Sequence, residues 1–267
     1  MPIMKGKKGI VMGVANERSI AWGIAKTLAK QGAEIAFTYQ NEGFKKRLLP
    51  LMESVESNIC YECDVSKDTN DTNSIESLFN KIAESWDNLD FVVHALAYSD
   101  KEELKGKYVN CSRENFLNSL DISAFSFTRA AKSAFPLMSA NGGSLLTLSY
   151  LGAERTTPNY NVMGVAKSAL EASIKYLAMD LGKNNIRVNA ISAGPVKTLA
   201  GAAISGARHV YRYSESVAPL KFNPELEEIG NSSLYLLSNM SSGVTGNIHH
   251  VDGVLHSVAI PKSEALE

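Results

Sequence analysis

The 267-residue sequence predicts a single α/β domain built on a doubly wound parallel sheet of about seven strands with helices on both faces. Two observations carry that expectation. Short β-rich runs alternate with amphipathic stretches of helical length along the whole chain, the pattern of repeated βαβ units. No internal repeat, low-complexity segment or Pro/Ser linker divides it, so residues 1–267 are read as one domain.

The elements follow in order. Gly9–Gly13 is a strand ending in glycine, and Ser19–Gln31 follows with apolar residues at Ile20, Ile24 and Leu28. Gly32 sits in a C-cap position before the second strand, Glu34–Tyr39. A helix over about 42–53, a strand at 59–63, a helix over 74–86 and the strand Phe91–Ala95 continue the alternation. A helix over 113–138 leads through Asn141-Gly142-Gly143 into the strand Ser144–Ser149, and Pro158 opens a helix to about Leu181. The strand Arg187–Ser192, the helix Leu226–Leu237 and the strand Asn247–Val251 complete a Rossmann-type order. The stretch 193–223, rich in Gly, Ala and Ser and without clear periodicity, is read as a lid over a site.

Composition excludes several classes. With 27 Lys+Arg against 28 Asp+Glu the net charge is −1, without the basic excess of a nucleic-acid-binding domain. The first fifty residues nevertheless hold nine Lys/Arg and three Asp/Glu, which favours an anionic ligand there. No apolar run approaches the ~18–20 residues of a membrane helix, and Met1-Pro2-Ile3-Met4-Lys5 lacks the apolar stretch of a signal peptide, so a cytoplasmic location is expected. Cys60, Cys63 and Cys111 are too few for a disulfide framework. Cys60 and Cys63, three apart in a strand, point to opposite faces, so no metal site is expected from them.

In such a sheet the first βα turn offers backbone N–H groups and a helix N-terminus to a phosphate. Here that turn runs from Gly13 to Ser19 and Ile20, and is longer than GxGxxG. Gly13 permits close backbone approach, Ser19 caps the helix and reaches a phosphate, and Gly23 lets the helix pack on the sheet. After the second strand, Gln40 suits a ribose without repelling phosphate, favouring NADH without excluding NADPH. Lys45, Lys46 and Arg47 read as a solvated helix face. Asp64-Val65 after the third strand either brackets an adenine, with Asp64 accepting from its amino group, or forms a plain turn.

The most informative stretch runs from Ser149-Tyr150 to Tyr160 and Lys167. Seven residues on a helix turn through about 700°, close to two full turns, and rise about 10.5 Å, which puts Tyr160 and Lys167 on one face. A lysine there holds a ribose beside the tyrosine hydroxyl and favours the ionised phenol. Tyr39/Lys46, Tyr98/Lys105 and Tyr176/Lys183 share the spacing, but only Tyr160 follows a strand ending in Ser149-Tyr150. No tyrosine has Lys four residues on, the spacing common in related reductases.

The segments GVANERSIAWGIA, AFTYQNE, LLTLSYLGAE, PNYNVMGVAKSALEA, IRVNAISAGPVKTLA and HHVDG, in this order over nearly the whole chain, closely resemble the bacterial NADH-dependent enoyl-acyl-carrier-protein reductases, the FabI-type branch of the short-chain dehydrogenase/reductases. That resemblance implies a homotetramer acting on enoyl thioesters carried by acyl-carrier protein. It implies Tyr160 as the donor to the developing enolate oxygen and Lys167 as the anchor of the nicotinamide ribose. Tyr150 is either a second hydroxyl or an aromatic wall. Leu96 lies along the cofactor, Val196, Lys197, Thr198, Leu199 and Ala200 contact its carboxamide and pyrophosphate, and Ser99 and Met163 line the substrate pocket.

Departures are equally specific. Where the family has Lys-Asp-Phe-Arg in the lid, this chain has Ser205-Gly206-Ala207-Arg208, which predicts a wider acyl pocket. Arg208, Arg212 and Lys221 remain as docking charges, and His94 reads as a packed strand residue. A carbonyl reductase of the same fold is the alternative, disfavoured by the missing Tyr/Lys spacing of four. A binder that has lost catalysis is disfavoured because both Tyr160 and Lys167 are retained.

Overall fold

Alternate residues of the central strands enter two different cores, one on each face of a single sheet. In a computed structural model that describes residues 2–202 and 205–261, the strands are β1 (Lys8–Met12), β2 (Glu34–Tyr39), β3 (Ile59–Glu62), β4 (Phe91–His94), β5 (Gly143–Ser149), β6 (Ile186–Ala193) and β7 (Ile248–Val251). They lie in the order β3-β2-β1-β4-β5-β6-β7, every pairing parallel. The winding reverses between β1 and β4, which opens a crevice beyond their carboxyl ends.

The helices are α1 (Ile20–Lys30), α2 (Glu42–Glu53), α3 (Ile75–Ser85), α4 (Arg113–Leu120), α5 (Ser126–Met138), α6 (Val162–Leu181), α7 (Leu199–Ala202), α8 (Ala207–Val217) and α9 (Leu226–Leu237). Ile10, Met12, Val92, Leu145 and Val188 pack with α3, α5 and α6. Their neighbours Val11, Phe91, Val93 and Leu146 pack with α1, α2 and α9 on the other face. The period of two along each strand thus fills both layers. Cys60 and Cys63 fall in opposite cores, as their spacing requires.

Four expectations are corrected. Gly23 serves α9 rather than the sheet, because a Cβ there would lie 2.7 Å from Leu226 Cβ. The stretch 113–138 is two helices split by a π-helical turn, Asp121–Phe125, whose extra residue goes with Ser123 bonding the Tyr98 backbone and Ser126 meeting His94. Pro158 does not open a helix: α6 begins at Val162, and Asn159 (φ 59°) and Asn161 (φ 38°, ψ −118°) flank Tyr160 with positive φ values that break helical continuity. Finally, the aperiodic lid contains the amphipathic α8, whose Ser214 and Val217 are buried while Arg208 and Arg212 face solvent. Its short apolar face and polar residues hide the 3.6 period.

Candidate active site

The cofactor end is shaped by a backbone contact. Gly13 has φ 101°, and a Cβ would stand 2.1 Å from the Ala95 carbonyl oxygen, so only glycine lets the β1–α1 turn lie against the segment after β4. Ser19 is the backbone N-cap of α1, but its Oγ accepts from Ala15 N at 3.0 Å and Asn16 N at 3.1 Å. It therefore ties the turn together and caps no helix amide, contrary to expectation. Ile20 and Leu96 are half-buried, each packed against one of the two cores.

At the ends of β2 and β3, Gln40 Nε2 donates to Asp64 Oδ2 at 3.3 Å, so two residues chosen separately from the sequence form one polar edge. Asp64 also accepts from Ser66 N and Oγ, so the plain-turn reading holds as well. Burial pushes its carboxyl up, but the bonds from Ser66 and Gln40 win and hold it below the ordinary range. Val65 is buried, and its carbonyl accepts from Arg129 Nη1 at 3.0 Å while Arg129 pairs with Glu76 at 2.7 Å.

At the other end, Tyr160 is 8% exposed and Lys167 5% exposed. The Tyr160 ring meets Tyr150 edge-on at 5.0 Å between centroids, and both pack with Leu104, Val162 and Met163. Gly152 lies against both rings, where a Cβ would come within 2.4 Å of Tyr160 Cδ1 and 3.2 Å of Tyr150 Cδ1. Gly152 is a site residue the sequence reading passed over, although it stands in the motif two residues after Tyr150. Ser99 Oγ and Asp100 N both donate to Asn115 Oδ1, while Ser123 Oγ lies 3.8 Å from Met163 Sδ. Ser99 and Met163 thus flank the same small cluster.

Lys167 Nζ donates to the Leu148 carbonyl at 2.7 Å. Burial drives its ammonium down to about 8, with Glu171 pulling the other way. Burial, followed by Tyr150 and Glu171, pushes the Tyr160 phenol well above 10.0. The expectation that Lys167 favours an ionised phenol is therefore corrected: Lys167 is bonded to the backbone, and Tyr160 is held as a neutral O–H donor. His94 is fully buried between Ser126 Oγ (2.8 Å) and Thr147 Oγ1 (3.3 Å), and burial lowers it to about 3. It is a neutral packed residue, as the sequence suggested.

The segment before α8 meets the turn that leads into Tyr160. Asn159 Nδ2 donates to the Ser205 carbonyl at 2.9 Å. Lys197 Nζ lies 4.6 Å over the Tyr211 ring of α8, so its ammonium faces the lid. Val196 packs against the α1/α9 core, Thr198 Oγ1 accepts from Gly201 N at 2.9 Å, and Leu199 and Ala200 open α7. Among the described residues no group of three His, Cys, Asp or Glu is placed to hold a metal ion, and no helix is long and apolar enough to cross a membrane.

The crevice suits a dinucleotide. The close-packed glycine turn leads into the start of an 11-residue helix, and the uncharged Gln40 stands at the end of β2, where a carboxylate would bar a 2′-phosphate. A family model described as "Enoyl-(Acyl carrier protein) reductase" matches residues 13–256. The chain belongs to this family. Enoyl-[acyl-carrier-protein] reductase [NADH] 1 of Rhizobium meliloti is 54% identical over 98% of this chain and 95% of its own length. Among solved structures, the enoyl reductase of Anaplasma phagocytophilum in complex with NAD matches with TM-score 0.92 at 54% identity, covering 97% of each chain. FabI from Candidatus Liberibacter asiaticus matches with TM-score 0.94 at 53% identity, over 98% of this chain and all of that one.

Proposed function

We propose that this chain, an oxidoreductase of the enoyl-acyl-carrier-protein reductase family, reduces the trans-2 double bond of enoyl thioesters with NADH in the last step of each fatty-acid elongation cycle. The observation that carries this reading is two buried residues at the carboxyl edge of β5: Tyr160, packed on Tyr150 with its phenol kept neutral, and Lys167, bonded to the Leu148 carbonyl. NADH, when bound, supplies the hydride that the β-carbon of the enoyl thioester receives. Negative charge then develops on the thioester oxygen, and a preorganised donor in a dry site stabilises it strongly. Tyr160 is that donor, and its raised pKa keeps the proton on the phenol until the enolate needs the hydrogen bond. A proton drawn through the phenol or from water then reaches the α-carbon as the thioester carbonyl re-forms. Tyr150 packs against it as the aromatic wall of the pocket, with its hydroxyl as a second polar group.

Lys167, whose ammonium burial drives down to about 8, would hold the cofactor ribose. Gly13, Ser19 and Ile20 form the phosphate turn, Gln40, Asp64 and Val65 the adenosine edge, and Leu96 with 196–200 the nicotinamide side. Ser99 and Met163 line the acyl end. The carrier protein docks its acidic surface near exposed Arg208, Arg212 and Lys221, and the cytoplasm is the place of the reaction. Tyr176 and Met179, 74% and 83% exposed on α6, give a second copy an apolar face, in keeping with a homotetramer.

The test is NADH oxidation, followed by absorbance, with a short trans-2-enoyl thioester. Rapid oxidation that collapses in Tyr160→Phe supports the reading. Oxidation with an acetoacetyl thioester but none with the enoyl one replaces it with carbonyl reduction.

A further inference from the structure

Two consecutive residues of β5 receive two consecutive turns of α6. Lys167 Nζ donates to the Leu148 carbonyl, and one turn further Glu171 accepts from Ser149 Oγ. Spacing of four on a helix sets the ammonium and the carboxyl on one side, with Cβ atoms about 5–6 Å apart. Glu171 is half-buried, and the reduction as derived above makes no use of it.

The groups facing Glu171 come from every element around it: Ser149 from β5, Glu154 from the turn before Tyr160, His250 from β7 and Lys175 from α6 itself. His250 Nε2 lies 2.9 Å from Glu154 Oε1 and stacks on His256 at 3.8 Å. His256 Nδ1 in turn lies 3.0 Å from both carboxylate oxygens of Asp252. Ionisable groups therefore run from the partly exposed Glu154 and His250 inward to Glu171 and then to buried Lys167.

We propose that Glu171 is a positioning residue whose carboxylate, fixed by Ser149, is the counter-charge that keeps Lys167 protonated and so sets the alkaline limit of the reaction. This rests on the reading of Tyr160 and Lys167 as the reacting pair. Burial lowers Lys167 and raises Tyr160, and Glu171 pushes both upward. Removing its charge lets both groups lose their protons at lower pH, so the two effects move the same limb in the same direction. On the acid side Glu171 itself titrates above its ordinary range, raised by burial and Glu154 against Ser149, His250 and Lys175.

The experiment is the pH dependence of kcat and of KM for NADH, with crotonyl-CoA, in wild type, Glu171→Gln, Glu171→Asp and Ser149→Ala. In Glu171→Gln the alkaline limb of kcat moves about one pH unit toward acid, with KM for NADH at pH 6.5 changed less than about two-fold. Ser149→Ala moves it the same way by less, and Glu171→Asp restores part of the shift. A lowered plateau with the limb unmoved assigns Glu171 a purely structural role and overturns the proposal. Should Glu171→Gln fail to fold, an unmoved limb in both other variants overturns it equally. Full activity in Tyr160→Phe fails the underlying reading instead, wherever the limb lies.

Discussion

The two ends of the crevice treat polar groups in opposite ways. At the ends of β2 and β3, Gln40 and Asp64 lie near solvent and satisfy one another, so a ligand bound there would replace hydrogen bonds that water can also supply. At the ends of β4 and β5, Tyr160, Lys167 and His94 are almost wholly removed from water, and all three are displaced toward their neutral forms. Recognition is placed where rearrangement is easy. Chemistry is placed where each dipole is worth most, because little solvent competes with it.

The sharpest way to break this contrast is to remove the buried donor. Tyr160→Phe is expected to lower kcat by about 10²–10³-fold, the usual loss for one oxyanion donor, with NADH affinity measured by fluorescence unchanged. Gly152→Ala is expected to lower kcat about ten-fold or more while KM for NADH holds, since the added methyl overlaps the Tyr160 ring and displaces it. Retained kcat in that variant would show that the ring's seat is not critical.

Lys167→Met tests the thermodynamic side. A lysine held at about 8 against an ordinary 10.5 is an unfavourable cation at neutral pH, and stability rises as pH climbs between those values. Replacing it is expected to abolish activity yet stabilise the protein by about 1–2 kcal/mol in denaturant unfolding, after loss of the bond to Leu148. His94 makes the converse case on the acid side. It is neutral in the fold down to about 3, whereas the unfolded chain binds its proton near 6.5. Its contribution is complete above 6.5 and disappears as pH falls toward 3, with a slope approaching about 1.4 kcal/mol per pH unit. The difference in unfolding free energy between wild type and His94→Asn, measured from pH 6.5 to 4.5, is expected to shrink by that slope. At the exposed end the effect is smallest: Gln40→Ala is expected to raise KM for NADH about two- to ten-fold with kcat unchanged.

Periodicity made the sheet and the first three helices legible nearly to the residue, because the central strands are buried on both faces and each helix shows one clear apolar stripe. It failed where backbone geometry departs from regular repeats. The π-helical turn at Asp121–Phe125 adds a residue that no stripe announces, and the positive φ of Asn159 and Asn161 puts Tyr160 outside the helix that the spacing argument assumed. Strand context rather than helical spacing is what marks Tyr160 and Lys167 in the sequence, since only Tyr160 follows a strand ending in Ser149-Tyr150. Gly152 and Glu171 escaped attention for another reason: one acts through the absence of a side chain, and the other through a bond to Ser149 that joins residues 22 apart.

The seat of Tyr160 on Gly152 also bears on how such a chain can change over generations. Glycine has no smaller replacement, so every coding change at Gly152 adds bulk under the reacting ring. Drift is closed at that position. By contrast Ser205 is exposed, so a larger side chain enters there without repacking a core.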